Sequence, residues 1–157
     1  MMKIHLVVVG DVRGPLASAV AEYQSRASRY WKLEVKEVPA GAPGRDPDGH
    51  RTMAREAERI QAALPDQGDV WVLTRTGEGL SSRGWARALG DRALHGGRDL
   101  ALLLGGAFGV QDELTRDAAR RISLGPVTLP HEMARLVLLE QLYRAGTILR
   151  NEPYHKG

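Results

Sequence analysis

The stretch "DLALLLGGAFG" at residues 99–109 decides the fold of this chain. Its first six residues form a short, nearly continuous apolar run, which is typical of a strand buried on both faces of a parallel sheet. Gly105, Gly106 and Gly109 follow directly. Ligands of open parallel sheets bind at the carboxyl ends of the strands, where missing side chains allow a close backbone approach. The glycines therefore indicate a ligand site, although a plain strand-to-helix turn explains them equally well.

Strands and helices alternate on both sides of this stretch. Further strands are predicted from apolar or alternating runs at residues 3–9, 32–38 and 69–74. Helices are predicted from apolar residues that recur every three or four positions, at residues 15–31, 51–64, 81–94, 111–121 and 131–149. Ser81 or Ser82 is expected to cap the third helix, and the segment 39–50, rich in proline and glycine, is predicted as a loop. We expect a single α/β domain over residues 1–157, with a mainly parallel sheet flanked by helices.

Composition and charge exclude several classes of protein. The 157 residues contain no cysteine, which excludes disulfides and thiolate nucleophiles. No apolar run is long enough for a transmembrane helix or a secretory leader, so we expect a cytoplasmic protein with no membrane partner. The formal net charge is +3, with 18 arginines and four lysines. Because guanidinium groups bind phosphates and stack on bases, this composition is consistent with an RNA partner; a compositional bias of the genome is the alternative.

Common cofactor and metal motifs are missing from the sequence. The spacing G-G-x-x-G differs from the dinucleotide-binding G-x-G-x-x-G, and no phosphate-binding G-x-x-x-x-G-K-[ST] occurs. None of the five histidines forms H-x-x-x-H or H-E-x-x-H, so we expect no protein-built metal site. A glycine and a proline interrupt the apolar segment "ISLGPVTLP", residues 122–130. Backbone groups there leave the strand ladder and become available to a ligand such as adenine, or simply form an ordinary turn.

The last predicted helix is apolar on nearly every side. A helix of this kind is buried, either in the core of one chain or against a second subunit, and we favour a homodimer interface. Glu140 and Arg144 lie four positions apart in this helix, in the order that favours an ion pair. A surface pair of little energetic weight is the alternative. The chain then ends on "NEPYHKG", residues 151–157.

The segment "TLPHEMARLVLLEQLYRAGTILRNEPYHK", residues 128–156, closely resembles the C-terminal end of the bacterial ribosomal large-subunit pseudouridine N3-methyltransferases, a branch of the SPOUT (α/β-knot) superfamily. The resemblance covers the whole chain, through "KIHLVVVG" at 3–10, "EVPAG" at 37–41, "EAE" at 56–58 and "LLLGGAFG" at 102–109. It implies a parallel sheet whose C-terminal part forms a trefoil knot, a homodimer, and S-adenosylmethionine as the cofactor. The implied cofactor-binding residues are Leu73, Gly105, Leu124, Gly125, Pro126, Val127, Thr128 and Leu129.

The resemblance also implies a substrate and a catalytic tail. The target of the family is a modified base, a pseudouridine in the helix 69 loop of 23S rRNA, within the ribosome. We hypothesise that the "PYHK" tail lies over the cofactor site of the partner subunit, where Tyr154 stacks on or hydrogen-bonds the base and His155 accepts its proton. Arg144, and secondarily Arg135, would stabilise the oxygen charge or bind a phosphate. A solvent-exposed terminal residue is the alternative for His155.

Three positions depart from the family pattern, and other functions stay open. Thr74 stands where an acidic residue is frequent, Glu132 where glutamine is frequent, and Gly146 where an aromatic residue is common. The alternative functions are methylation of another rRNA or tRNA base by a SPOUT enzyme, and a non-catalytic role in ribosome assembly. Cofactor binding discriminates between these classes, because an assembly factor need not bind S-adenosylmethionine.

Overall fold

A computed structural model describes residues 2–95 and 99–156, and its strands form a five-stranded sheet. The strands are Lys3–Val9 (β1), Lys32–Val38 (β2), Asp69–Gly79 (β3), Leu100–Leu104 (β4) and Arg120–Ser123 (β5). Their order in the sheet is β2-β1-β4-β3-β5, and each pair of neighbours is parallel. The predicted α/β fold with a parallel sheet is confirmed. The knotted path that the resemblance implies stays a prediction.

Helices connect the strands and cover both faces of the sheet. They are Ala17–Ala27 (α1), His50–Ala63 (α2), Ser82–His95 (α3), Asp112–Asp117 (α4) and His131–Leu149 (α5), with 3₁₀ turns at Gly14–Leu16 and Pro153–His155. The bounds of β1, β2 and α5 agree with the prediction, whereas α1 ends before the predicted end. The cap of α3 is Ser81, whose hydroxyl accepts a hydrogen bond from the Gly84 N–H at 3.0 Å.

The sheet separates two apolar clusters. On one face, Leu6 and Val8 of β1 pack with buried side chains of α1, α3 and α5. On the other face, Val7 and Val9 pack with Ile60 of α2. This alternation follows the period of two along a strand. Because both faces of β1 are covered, its sequence is apolar throughout, as expected for a strand inside a parallel sheet.

Helix α5 lies inside the larger cluster. Leu138, Leu139 and Leu142 have no solvent exposure, and the indole Nε1 of Trp31 donates a hydrogen bond to Leu142 O at 2.8 Å. The core of the chain itself accounts for this apolar face, so the homodimer interface stays a prediction. In the part of the chain that the structure describes, no helix combines the length and the apolar character needed to cross a membrane.

The prediction of a helix over residues 111–121 is wrong at its C-terminal end. Helix α4 stops at Asp117, and Arg120 already begins β5. The Ala119 N–H donates to Val70 O at 2.9 Å, and the Ile122 side chain is fully buried. Pairing with β3 therefore overrides the local preference for helix, because strand pairing depends on residues far away in the sequence.

Strand β3 is longer than the six residues predicted for it. It runs to Gly79 rather than Thr74, and its register against β5 shifts between Leu73 and Glu78, which both lie opposite Ile122. A shift of this kind inserts extra residues on one strand and bends it. Residues 74–76 lie within this irregular segment.

Gly146 lies on the buried side of α5, where the family resemblance leads one to expect an aromatic residue. A Cβ atom at this position would lie 2.3 Å from Cγ of Tyr30 and 2.6 Å from its Cβ. The Tyr30 ring therefore occupies the space that a side chain at 146 would need.

We predict that Gly146→Ala destabilises the protein by about 1–3 kcal/mol, because the new methyl group overlaps a packed ring. Alanine would otherwise favour an isolated helix by about 1 kcal/mol over glycine. Urea unfolding measures the change, with Gly84→Ala in α3 as the control that is expected to lose less, because the atom nearest to a Cβ there is Ser81 Oγ at 3.3 Å. An unchanged or increased free energy of unfolding for Gly146→Ala would contradict this packing.

Candidate active site

A cleft of about 640 Å³ lies at the carboxyl ends of β3 and β4. Its walls include the glycine-containing segment after β4, the segment 124–129 after β5, and the first turn of α5. Seven of the eight residues predicted to bind the cofactor line it: Leu73, Gly105, Leu124, Gly125, Val127, Thr128 and Leu129. The eighth, Pro126, is exposed beside it. The two glycine segments that the family resemblance assigns to one site thus line one cleft.

The segment after β4 requires glycine for its own conformation. A Cβ atom at Gly105 would lie 2.7 Å from Cγ2 of Val110 and 2.9 Å from the carbonyl carbon of Gly109. The Gly109 N–H donates to Gly106 O at 3.0 Å, and Gly109 has a φ of +84°. Such a φ strains any residue with a side chain. The turn and the cleft wall therefore depend on the same glycines.

The opposite wall is held by two side chains that the sequence analysis did not identify. The buried Ser123 hydroxyl accepts a hydrogen bond from the Gly125 N–H at 3.0 Å and donates to Gly125 O at 2.8 Å. Arg75 Nη1 donates to Thr128 Oγ1 at 2.9 Å. A serine two residues before a glycine is a local turn signal. Arg75 carries no such signal, because its partner lies far away in the sequence.

A buried carboxylate supports the cleft from behind. Glu56 of α2 is only 2% exposed, and its Oε2 accepts a hydrogen bond from the Gly41 N–H at 2.8 Å. Its Oε1 has no partner among the described residues and would lie 2.9 Å from a Cβ atom at Gly106. The motifs "EVPAG", "EAE" and "LLLGGAFG" therefore meet at one point. All three motifs carry the family resemblance, but no role for Glu56 was predicted from them.

Ionisable side chains on the cleft wall include Arg75, Asp112 and His131. His131 lies in the first turn of α5, with Nε2 at 3.3 Å from Asp11 O. A carbonyl oxygen only accepts, so we assign the hydrogen to Nε2, and Nδ1 of the neutral ring is then an acceptor. Among the described residues, no group of three or more His, Cys, Asp or Glu side chains could hold a metal ion.

Arg135 has a partner within the chain. It is buried on α5, and its Nη1 donates to Glu37 Oε2 at 2.6 Å, at the end of β2. Arg135 is not among the residues that line the cleft. The ion pair with Glu37 compensates the positive charge of the buried Arg135 side chain, which would otherwise be costly to bury.

The predicted residues Tyr154 and Arg144 lie together, away from the cleft of the same chain. The Tyr154 hydroxyl donates to Glu140 Oε1 at 3.1 Å, and the Arg144 guanidinium lies 4.9 Å from the centre of the Tyr154 ring. Neither residue is among those that line the cleft. The side chain of His155, the third predicted catalytic residue, lies outside the described part of the structure.

The C-terminal tail is held against α5 of its own chain. The Tyr154 ring packs on Tyr143 with 4.5 Å between ring centres. The Tyr30 hydroxyl donates to Glu152 Oε2 at 2.5 Å, and the Glu152 N–H donates to Thr147 O at 2.9 Å. The hydrogen bond to Glu152, with burial as the second cause, raises the pKa of Tyr30 to about 12. Glu152 and Tyr154 therefore have defined contacts within the single chain.

Tyr154 is held in its neutral form. Burial raises the pKa of its phenol well above the ordinary value, and the hydrogen bond with Tyr23 and the negative charge of Glu140 act in the same direction. Because the phenol stays protonated at neutral and mildly alkaline pH, Tyr154 can donate a hydrogen bond or stack, but it cannot act as a base there.

Comparison with known proteins identifies the family. The family profile described as "Predicted SPOUT methyltransferase" matches residues 2–155. A Gemmatimonas aurantiaca protein named ribosomal RNA large subunit methyltransferase H is 44% identical over 156 residues, covering 99% of this chain and 100% of the relative. A Xanthomonas oryzae protein of the same name is 41% identical, again covering 99% of this chain and 100% of the relative.

Solved structures share the fold at low identity. A "probable methylase family protein" from Haemophilus influenzae aligns with a TM-score of 0.54 and 15% identity, over 96% of this chain and 66% of that one. A "probable methyltransferase" from Bordetella pertussis aligns with a TM-score of 0.54 and 12% identity, over 92% and 96%. The family profile and the full-length relatives together identify this chain as a member of the SPOUT methyltransferase family.

Proposed function

We propose that this protein transfers the methyl group of S-adenosylmethionine to N3 of a pseudouridine in the helix 69 loop of 23S rRNA, on the assembled ribosome. The observation that carries the proposal is the convergence of two glycine segments on one cleft, in a chain whose full-length relatives are named rRNA large subunit methyltransferases. The resemblance to pseudouridine N3-methyltransferases supplies the specific base.

The cleft supports S-adenosylmethionine as the methyl donor. A volume of about 640 Å³ is within the range of small-molecule sites. The residues proposed to hold the cofactor are Leu73, Gly105 and segment 124–129, which offer apolar side chains and backbone groups. Gly125 has a φ of +128°, and a Cβ atom there would meet no other atom within 4 Å, so the space beside this glycine is free for a ligand.

The chemistry is an in-line displacement that needs alignment and a proton acceptor. The lone pair on N3 of the base forms a bond to the methyl carbon, and the bond from that carbon to sulfur breaks, which leaves a neutral thioether. The N3 proton goes to His155, whose imidazole class titrates near neutrality. Tyr154 stays protonated and orients the base. Arg144 stabilises the negative charge that develops on the adjacent carbonyl oxygen.

The active protein is a homodimer in which each tail completes the site of its partner. His131 lines the cleft, whereas Arg144 lies 13 residues further along the same helix, or about 20 Å along its axis. One rigid helix therefore cannot bring Arg144 to its own cleft. Two apolar side chains near the cleft are exposed. Val127, in the segment that forms the cleft wall, is 62% exposed, and Met133, in the first turn of α5, is 42% exposed. A second copy would cover them.

The first prediction concerns the reaction itself. Purified protein incubated with labelled S-adenosylmethionine and ribosomes is expected to methylate one pseudouridine in helix 69, and mass spectrometry of the digested rRNA identifies the nucleoside. Label on another rRNA base or on tRNA would favour the alternative SPOUT activities. Failure to bind S-adenosylmethionine at all would favour the assembly factor.

A second prediction tests the cleft. Gly105→Val is expected to weaken S-adenosylmethionine binding at least tenfold by calorimetry, because its side chain would collide with Val110 and shift the wall. Thr128→Trp fills the cleft from an exposed position and is expected to act in the same way if Gly105→Val fails to fold. Gly84→Ala, outside the cleft, serves as the control. Unchanged affinity for S-adenosylmethionine in a folded Thr128→Trp variant would show that the cofactor binds at another site.

A third prediction tests the composite site by complementation. His155→Ala is expected to lower kcat by about 10²–10⁴-fold, as for loss of a general base, while cofactor affinity stays unchanged. Gly105→Val alone is also expected to be inactive. Coexpressed as a mixed dimer, the two variants should regain activity, because one intact cleft then faces one intact tail. Mixed dimers as inactive as their parents would show that the tail does not serve the partner.

A further inference from the structure

The carboxylate of Glu140 is the centre of the contacts around Arg144 and Tyr154. Its Oε1 accepts hydrogen bonds from Arg144 Nε at 2.9 Å, from Arg144 Nη2 at 2.5 Å and from the Tyr154 hydroxyl at 3.1 Å. Its Oε2 accepts from Gln141 Nε2 at 2.7 Å. Both oxygens of the carboxylate are therefore engaged by neighbouring side chains.

We propose that Glu140 is a positioning residue of the active site, which holds Arg144 and Tyr154 in the orientation in which they meet the acceptor base. This inference rests on the proposed function, because it assigns Arg144 and Tyr154 to the methyl-transfer step. Glu140 itself does not touch the base: its oxygens are occupied, and its negative charge would oppose charge on a substrate oxygen.

The contact differs from an ordinary pair on a helix surface. The Glu140 and Arg144 side chains are only 19% and 28% exposed, so the pair is partly shielded from water. Exposed pairs with this spacing contribute little to stability, because water and salt screen them. Glu140 also binds Tyr154, which is beyond the end of the helix, and thereby joins the helix to the tail.

A third element holds Glu140 in place. Gln141, which donates to Glu140, accepts a hydrogen bond from the Ser82 hydroxyl at 2.7 Å, at the start of α3. The carboxylate is thus supported by α3 as well as by its own helix. Support of this kind keeps a functional side chain in one rotamer.

The arrangement leaves Arg144 able to bind substrate. The guanidinium has five N–H donors, and the contacts with Glu140 use those on Nε and Nη2. Its plane packs over the Tyr154 ring, with 4.9 Å from Cζ to the ring centre. Fixing one group therefore also fixes the other. A flexible arginine would instead lose side-chain entropy when it binds the base.

A second carboxylate in the tail provides a matched comparison. Glu152 accepts a hydrogen bond from the Tyr30 hydroxyl and so holds the tail, but no contact joins it to Arg144 among the described residues. Loss of the Tyr30 contact loosens the tail while the Glu140 contacts remain. The variant Tyr30→Phe therefore separates a general effect on the tail from an effect on Arg144.

The experiment is a double-mutant cycle on ribosome methylation with Glu140→Ala, Arg144→Ala and the combined variant. We expect Glu140→Ala to lower kcat about 10- to 100-fold with cofactor affinity unchanged, and the combined variant to lose less than the product of the two single losses, because coupled residues are non-additive. Glu140→Gln, which retains an acceptor oxygen, should recover most of the loss. Tyr30→Phe should lose less than Glu140→Ala.

Several outcomes would overturn the role of Glu140. The role of Glu140 would be refuted, without affecting the proposed function, if Glu140→Ala kept the wild-type kcat while Arg144→Ala lost activity. It would also be refuted if the two single losses multiplied in the combined variant. If Arg144→Ala were fully active, both the role of Glu140 and the role of Arg144 in the proposed function would be refuted. A measurement independent of activity is the exchange of the Arg144 Nε–H by NMR: it should be slow in the wild type and fast in Glu140→Ala, and equal rates would also refute the contact.

Discussion

Burial of α5 is the constraint on which the rest of the structure depends. Its central leucines lie between α1, α3 and the sheet, and leave the helix no freedom to slide or bend without exposing them. The first turn of this helix forms part of the cleft wall through His131, and its later turns carry Arg144. Helix α5 therefore holds the cleft and Arg144, the two parts of the proposed active site, at a constant separation within one chain. This geometry is the physical reason for proposing that a second copy supplies the tail.

The cleft is built from backbone rather than from reactive side chains. Its glycine turn closes on itself, the opposite segment is shaped by the Ser123 hydroxyl, and the buried Glu56 lies behind the glycine pair. These contacts fix where backbone donors and acceptors point. Methyl transfer from a sulfonium requires alignment above all. A rigid cleft with few charged groups suits that requirement.

The tail follows a different physical principle. Carboxylates hold it in place: Glu140 of α5 accepts hydrogen bonds from Arg144 and from Tyr154 of the tail, and Glu152 of the tail accepts one from Tyr30. Charged hydrogen bonds are stronger than neutral ones and set direction as well as distance. The cost of ordering these side chains is thus met during folding, before RNA binds. Both halves of the proposed site are pre-organised, one by backbone geometry and the other by hydrogen bonds to carboxylates.

The sequence by itself determined the parallel sheet and the bounds of β1, β2 and α5, whereas the family resemblance supplied the seven predicted residues that line the cleft. Apolar period and glycine position are local signals, so they are readable from the chain, and the family resemblance joined the two glycine segments. Only the tertiary structure decided that Arg120 begins a strand, that Arg75 holds Thr128, and that Glu56 lies behind the glycine pair. These features depend on contacts between residues far apart in the sequence, which no local pattern encodes.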